Sequence, residues 1–446
     1  MTRPPFCVTA DLSKSTAQPN KIAIVGGGWS GIACAVTLAR QGIPVNLYES
    51  ARQLGGRARR VDWNNLALDN GQHLMVGAYR ETLELMEFLG SADQLERKPL
   101  ELILPGFSLR LPRLPNPFHL GVGLLMAKGL RLQDKLAAVS FLHHLQALRF
   151  RLPVDSSVRQ LLSRLHQPDN LVEKLWAPLC LAALNTHLEV ASAQVFCNVL
   201  RDSLTGHRAN SDLLLNRNNL GCLLPDAATD YLTRQNCRIH LGSKVESVTR
   251  VAQGFNLAGP EHFCEQVVLA PHPARLPALL KRLPEMSDIS RQISELTWQP
   301  ILTLWLQFAE APLFSFPMLG LGDSRYPWAF ERNDIAPGVV SMVMSAEGPH
   351  LHLPAEQLRD EYLALLARQI GPLPSLTSWK IIIEKRATFA CIPDQQRPGN
   401  RTPIKGLYLA GDYTIGTEPT STYPATIEGA VRSGVECARL ILADRK

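Results

Sequence analysis

Cysteine is present without pattern. The nine cysteines, at positions 7, 34, 180, 197, 222, 237, 264, 391 and 437, never take C-x-x-C spacing, and their number is odd. This argues against a disulfide framework and a thiolate metal site, and for scattered reduced thiols in a cytosolic protein. The histidines at 143–144 and at 350 and 352 likewise lack the partners a metal needs. Excess charge is small: a net +6 over 446 residues is too little to argue for nucleic acid, though it suits an anionic membrane surface. No run of 18 or more apolar residues occurs, so no helix is expected to span a bilayer. Residues 1–20 are polar, contain Pro4, Pro5 and Pro19 and lack an apolar core; a disordered tail is expected, not a secretory signal. The remainder, 46% hydrophobic and 19% charged, is globular and long enough for two domains that share a large core.

What is there is a pair of glycine motifs almost four hundred residues apart. Lys21-Ile-Ala-Ile-Val-Gly26-Gly-Gly28-Trp29-Ser30-Gly31 reads as a buried strand, a tight turn and a helix start. In this G-x-G-x-x-G pattern Gly26 permits the turn, Gly28 lets a pyrophosphate approach the backbone, and Gly31 lets the helix lie close to the strand. The phosphates would sit at the helix N-terminus, where free N–H groups favour negative charge. The next parallel strand, Val45–Tyr48, ends in Glu49, a carboxylate placed to accept from the adenosine ribose hydroxyls. These features together indicate a dinucleotide.

NAD and FAD share that fingerprint, and two further segments choose between them. Gly55-Gly56-Arg57 follows directly, and its guanidinium can make two parallel bonds to the pyrophosphate from the far side. Gly406-Leu-Tyr-Leu-Ala-Gly411-Asp412 is a second strand ending in a carboxylate, suited to a ribityl hydroxyl, which NAD lacks. The helix after Thr426-Ile427 would aim its N-terminus at the flavin and stabilise charge on its reduced form. FAD is therefore the expected cofactor.

Between the motifs the chain changes character. Residues 112–153 interleave apolar residues with Lys128, Arg131, Lys135, Arg149 and Arg151; periodicity alone leaves open a membrane-docking surface or an amphipathic helix on the core. Residues 158–204 are helical and apolar. Short strands fill 237–270, and Trp298–Phe308, Val339–Ser345 and Ser378–Phe389 read as a second sheet, with a helix over 354–370. The expected fold is α/β: a Rossmann-like FAD-binding domain from 21–111, 211–290 and 390–446, with an inserted α+β substrate domain from 112–210 (helical) and 291–389 (sheet and helix).

These residues together resemble the amine oxidase and phytoene desaturase superfamily of flavoproteins. Asp69–Glu81, Trp176–Asn185, Asn198–Ser203 and Pro424–Gly434 narrow the resemblance to the squalene-associated FAD-dependent desaturases, understood as hydroxysqualene dehydroxylases. Thr414–Tyr423 departs, being longer and more polar than the family's usual link after Gly-Asp. The resemblance implies a bacterial enzyme of squalene and hopanoid synthesis. Reduced FAD would deliver hydride to hydroxysqualene, a hydrophobic isoprenoid, as its hydroxyl leaves. It further implies an apolar tunnel in the helical insert; the water-insoluble substrate and the apolar-basic insert add the expectation that this cytoplasmic protein is peripheral on the inner membrane. Val245 is counted with the cofactor-binding residues. His73 is the candidate acid; packing on the cofactor is its other reading. Trp176 and Asn185 either line the pocket or serve as core packing and a helix-end bond. Tyr413 and Tyr423 are the candidates for an amine oxidase's aromatic cage. An oxidative polyene desaturase and a lipid-binding protein without chemistry are the competing readings.

Overall fold

A computed structural model describes residues 21–116, 118–322, 327–416 and 421–445. The expected tail at 1–20 and part of the 414–423 link lie outside the described residues.

The chain opens with β1 (Ile22–Val25), helix α1 (Trp29–Arg40) and β2 (Val45–Tyr48). Both strands are short and wholly buried, as parallel strands covered on two faces are; β1 is aliphatic throughout, and β2 adds Asn46 and Tyr48 to Val45 and Leu47. Helix α2 (Arg80–Leu89) follows, then the helical insert, including α3 (Phe118–Met126), α4 (Leu132–Ala147), α5 (Ala177–Leu184) and α6 (Ala193–Leu204). Strands β3 (Arg238–His240) and β4 (Gln266–Leu269) join the sheet of β1 and β2. The second sheet is built on β5 (Trp298–Phe308), β6 (Val339–Ser345) and β7 (Leu376–Phe389), with α7 (Ala355–Ile370) between the last two. The chain then completes the first domain with β8 (Leu407–Leu409) and α8 (Ile427–Asp444).

The first sheet is parallel throughout, in the order β3-β2-β1-β4-β8. Strand order reverses beside β1, and ligands bind such sheets at the carboxyl ends of the strands at that point. Helices α1 and α8 cross closely: a Cβ on Gly434 would lie 2.1 Å from the Ser30 carbonyl oxygen, so only glycine fits. The second sheet is antiparallel, with Met318–Gly320 and Trp328–Glu331 completing the order to β6, β5 and β7. Its apolar face packs under α7 through Leu304, Leu306, Met342, Leu358 and Tyr362.

One boundary differs from expectation. The hairpin Glu101–Leu104 and Phe107–Arg110 falls within the expected first domain, yet it sits with the insert and the second sheet. A Cβ on Gly320 would meet Leu104 at 2.8 Å, Ser108 and Lys128 exchange backbone bonds, and Leu102, Phe107 and Leu109 share a core with Phe141 and Trp176. The hairpin buries its alternating apolar face there.

Among the described residues no helix is long and apolar enough to cross a membrane, and no three metal-binding side chains cluster.

Candidate functional site

The site grows from the carboxyl ends of β1, β2 and β8. Gly26 follows β1 with φ +111°, a conformation only glycine adopts freely, and its Cβ position is filled by Ala270 and Pro271 after β4. A Cβ on Gly31 would lie 2.0 Å from the Gly26 carbonyl oxygen. Gly28 is different: its Cβ position meets nothing nearer than Gly56 Cα at 4.0 Å. Gly28 is the N-cap of α1, with no side-chain cap and no acidic residue in the first turn. An open cradle at an uncapped helix N-terminus fits a pyrophosphate.

The second glycine segment closes on the first. Gly55 N–H donates to the Gly27 carbonyl at 2.8 Å, and Trp29 Nε1 donates to the Ala58 carbonyl at 3.0 Å. Ser30 is buried in the same helix turn. Glu49 ends β2 and shapes this loop: its carboxylate accepts from Gly27 N and Ala51 N, each at 2.7 Å. Ser243 N donates to the Glu49 carbonyl at 2.9 Å, which places buried Val245 two residues from that loop.

Arg57 and Asp412, expected at different parts of the cofactor, touch each other. One guanidinium nitrogen, Nη2, donates to both Asp412 oxygens at 2.7 Å, while Nη1 donates to the Ala387 carbonyl of β7 at 2.6 Å. Gly411 N donates to Ser433 Oγ of α8 at 2.9 Å, fixing the turn that carries Asp412. Thr426 caps α8 by accepting from Gly429 N at 3.1 Å, and Ile427 shares an apolar cluster with Trp29.

The Asp69–His73 segment approaches the same place. Asn70 Nδ2 donates to the Arg57 carbonyl at 3.3 Å. Asp69, fully buried, accepts from Leu220 N at 2.7 Å and faces Arg332 at 3.5 Å. Burial raises its pKa, opposed by Arg332, and its contacts make it an anchor for the turn. His73 Nδ1 lies 2.8 Å from the Gly71 carbonyl. A carbonyl only accepts, so Nδ1 carries the proton and Nε2 of the neutral ring carries the lone pair. Burial holds the His73 pKa below 6.5, although Gly71 and Asp69 pull it up. The ring is therefore mainly neutral at pH 7, and must first be charged before it can give a proton from Nε2.

Three pocket candidates are otherwise engaged. Trp176 is buried against Phe141 and Phe196, with Nε1 donating to Gln167 Oε1 at 3.0 Å; it is core. Asn185 ends α5 at φ +47°, donates to Thr388 Oγ1 at 2.9 Å and accepts from Ala346 N at 2.6 Å, tying the insert to the second sheet. Tyr423 donates to Asp202 at 3.0 Å beneath the Arg432 guanidinium. Tyr413 is wholly buried, and its hydroxyl has no hydrogen-bond partner among the described residues.

Sequence reasoning missed two residues. His272, just after β4, packs against Trp298 with the ring planes tilted by 39° and centroids 4.7 Å apart; burial, then Arg57, lowers its pKa. Arg397 is buried over the Phe389 ring at 4.6 Å and donates to the Tyr423 carbonyl at 3.1 Å; burial lowers its pKa, with Asp412 among the groups opposing this. Arg397-Pro398 was legible only as the point where the chain re-enters the first domain.

Comparison with known proteins follows this geometry. The family of flavin containing amine oxidoreductases matches residues 29–442. The chain is 27% identical to a hydroxysqualene dehydroxylase of Sinorhizobium fredii, across 96% of this chain and 99% of that one. It is 29% identical to a hydroxysqualene dehydroxylase of Rhodopseudomonas palustris, across 95% and 98%. Cyclohexylamine oxidase from Brevibacterium oxydans shares the fold, with a TM-score of 0.68 and 17% identity over 96% of this chain and all of that chain.

Proposed function

Because the chain belongs to the flavin-containing amine oxidoreductases, and is an FAD-dependent oxidoreductase, we propose that it converts hydroxysqualene to squalene in bacterial squalene and hopanoid synthesis. The observation that carries this reading is the end-to-end likeness to two hydroxysqualene dehydroxylases on a chain whose glycine cradle fits the dinucleotide. The protein would act in the cytoplasm and at the inner membrane surface, where a water-insoluble substrate resides.

In the proposed reaction the allylic C–O bond breaks, the oxygen leaves as water after taking a proton, and a C–H bond forms. Bound FAD, when reduced, supplies the hydride. The chain's own groups do the rest. Gly26, Gly28 and Gly31, with the α1 N-terminus from Trp29 and Ser30, hold the pyrophosphate. Glu49 accepts from the adenosine ribose and Val245 packs beside that loop. Gly55 and Gly56 close over the cradle, and Arg57 orients Asp412 toward the ribityl chain. The α8 N-terminus at Thr426 and Ile427 presents a positive dipole end, which favours an anionic ring. His73 Nε2 passes the proton to the departing oxygen, and only its protonated fraction acts.

The test is anaerobic. Purified protein with its flavin reduced is mixed with hydroxysqualene, and oxidised-flavin absorbance and squalene are followed together. Reoxidation with squalene formed is expected. Bound flavin that stays reduced, with oxidised enzyme desaturating a polyene instead, would overturn the reading in favour of a desaturase.

A further inference from the structure

Helix α4 carries apolar residues on two opposite sides. Ala138, Phe141, Leu142 and Leu145 are buried against the insert. Leu132, Leu136 and Val139, at i, i+4 and i+7, form a second stripe within about 60° of the helix circumference, and this stripe faces solvent. Helix α3 continues it with Phe118, Leu125 and Met126. These six side chains are each between 48% and 71% exposed. A helix at rest in water keeps polar residues on such a face. Lys135 joins the helices, its Nζ donating to the Leu125 carbonyl at 2.6 Å, so the two stripes are neighbours.

The charge of the segment that carries them is almost all of one sign. Residues 112–153 hold six arginines and lysines and a single acid, Asp134. Asp134 is buried, accepting from Arg131 N at 2.9 Å and Asn170 Nδ2 at 2.7 Å. Lys128 and Arg131 are exposed beside the apolar row. Within residues 112–153 the apolar face is flanked by cations and no acid is exposed, a pattern that matches the boundary between acyl chains and anionic headgroups.

We propose that the exposed face of α3 and α4 docks the protein on an anionic lipid bilayer. Phe118, Leu125, Met126, Leu132, Leu136 and Val139 enter the acyl boundary, and Lys128 and Arg131 meet the headgroups. The inference rests on the proposed function only for the reason that a membrane is visited; the surface itself stands on exposure and charge.

Vesicle flotation of the flavin-loaded protein tests it. Wild type is expected to float with phosphatidylcholine vesicles containing phosphatidylglycerol, and less well with phosphatidylcholine alone or in high salt. Leu125→Asp with Leu136→Asp should weaken binding at least about tenfold. Lys128→Glu with Arg131→Glu should do so by about tenfold or more on the anionic vesicles, and little on the neutral ones. Unchanged flavin content and thermal midpoint show that the variants are folded. Failure of wild type to float, or flotation unchanged in both variants, overturns the proposal. So does a wild-type dimer, seen by light scattering, that the apolar variant abolishes while nothing floats; the face would then be a contact between two copies. Squalene formation in detergent is measured in parallel, so that loss of the docking inference is separable from loss of the proposed reaction.

Discussion

Gly28 and Gly31 belong to one motif but do different work, and two alanines separate them. A Cβ at residue 28 meets no protein atom nearer than Gly56 Cα at 4.0 Å, and φ there is −74°, which alanine adopts without strain. Replacing glycine restricts the unfolded chain, stabilising by about 0.4–1 kcal/mol, while alanine is the poorer N-cap by a similar amount. Apoprotein stability of Gly28→Ala should therefore stay within about 1 kcal/mol of wild type. The methyl instead fills the space above the α1 N-terminus. Displacing a phosphate from even one charge-assisted bond costs about 1.5–3 kcal/mol, or roughly a 10- to 150-fold weaker FAD affinity. Gly31→Ala has no such room, with a Cβ 2.0 Å from the Gly26 carbonyl oxygen. It should destabilise the apoprotein by about 3 kcal/mol or more, and lose flavin as a consequence. The assays are quenching of FAD fluorescence on titration with apoprotein, and denaturant midpoints of the apoproteins. Wild-type FAD affinity in Gly28→Ala refutes the cradle; wild-type stability in Gly31→Ala refutes the packing.

Other perturbations address single groups. Glu49→Ala should weaken FAD binding about 10- to 100-fold with a lowered thermal midpoint but a folded chain; wild-type flavin occupancy would count against the ribose role. Glu428, almost fully buried, accepts from Glu81 N, Thr82 N and Thr82 Oγ1 at the start of α2 and pairs with Arg432 at 2.6 Å. Its replacement by alanine should cost about 3–5 kcal/mol by urea denaturation, and a loss under 1 kcal/mol, on the scale of a single exposed contact, would refute that tie. Burial lowers the pKa of His73, His119, His240 and His272 below 6.5. The unfolded chain then takes up protons first, so stability is full above pH 6.5 and is lost as pH falls through the folded-state values. The single-turnover rate should move the other way, rising as His73 gains its proton; a flat profile that His73→Gln leaves unchanged would make the residue structural.

The parts of the site legible in the sequence are those whose chemistry is local. A strand, three glycines and a carboxylate at the end of the next strand lie within thirty residues; Gly26 and Gly31 each have a steric reason in the fold, while Gly28 leaves the cradle open. Gly411-Asp412 was legible for the same reason, as a strand end. The pairing of Arg57 with Asp412 was not, because it depends on how β7 and β8 converge on the first loop. His272 carries no local signal either: its meaning comes from Trp298 and Arg57, which chain folding brings to it. Asn185 could be read two ways until its partners Thr388 and Ala346 were placed. Helix α4 was ambiguous because apolar residues on both faces erase the periodicity that distinguishes inside from outside. The 101–110 hairpin was misplaced because alternation reveals a buried face without revealing what covers it.

The crossing of α1 by α8 at Gly434 sets a timetable. A ribosome adds about 5–20 residues each second, so Gly28 emerges roughly 20–80 seconds ahead of Asp412. Through that interval β1 lacks β4 and then β8 beyond it, and α1 has no α8 to cover it. The nascent first domain is left with an apolar helix face and an open sheet edge while the whole insert is made. In the proposed cofactor site, flavin would be gripped from both sides only once translation has passed Asp412. Cofactor loading is thus a late event, and chains released early would carry the fingerprint without the capacity to keep their flavin.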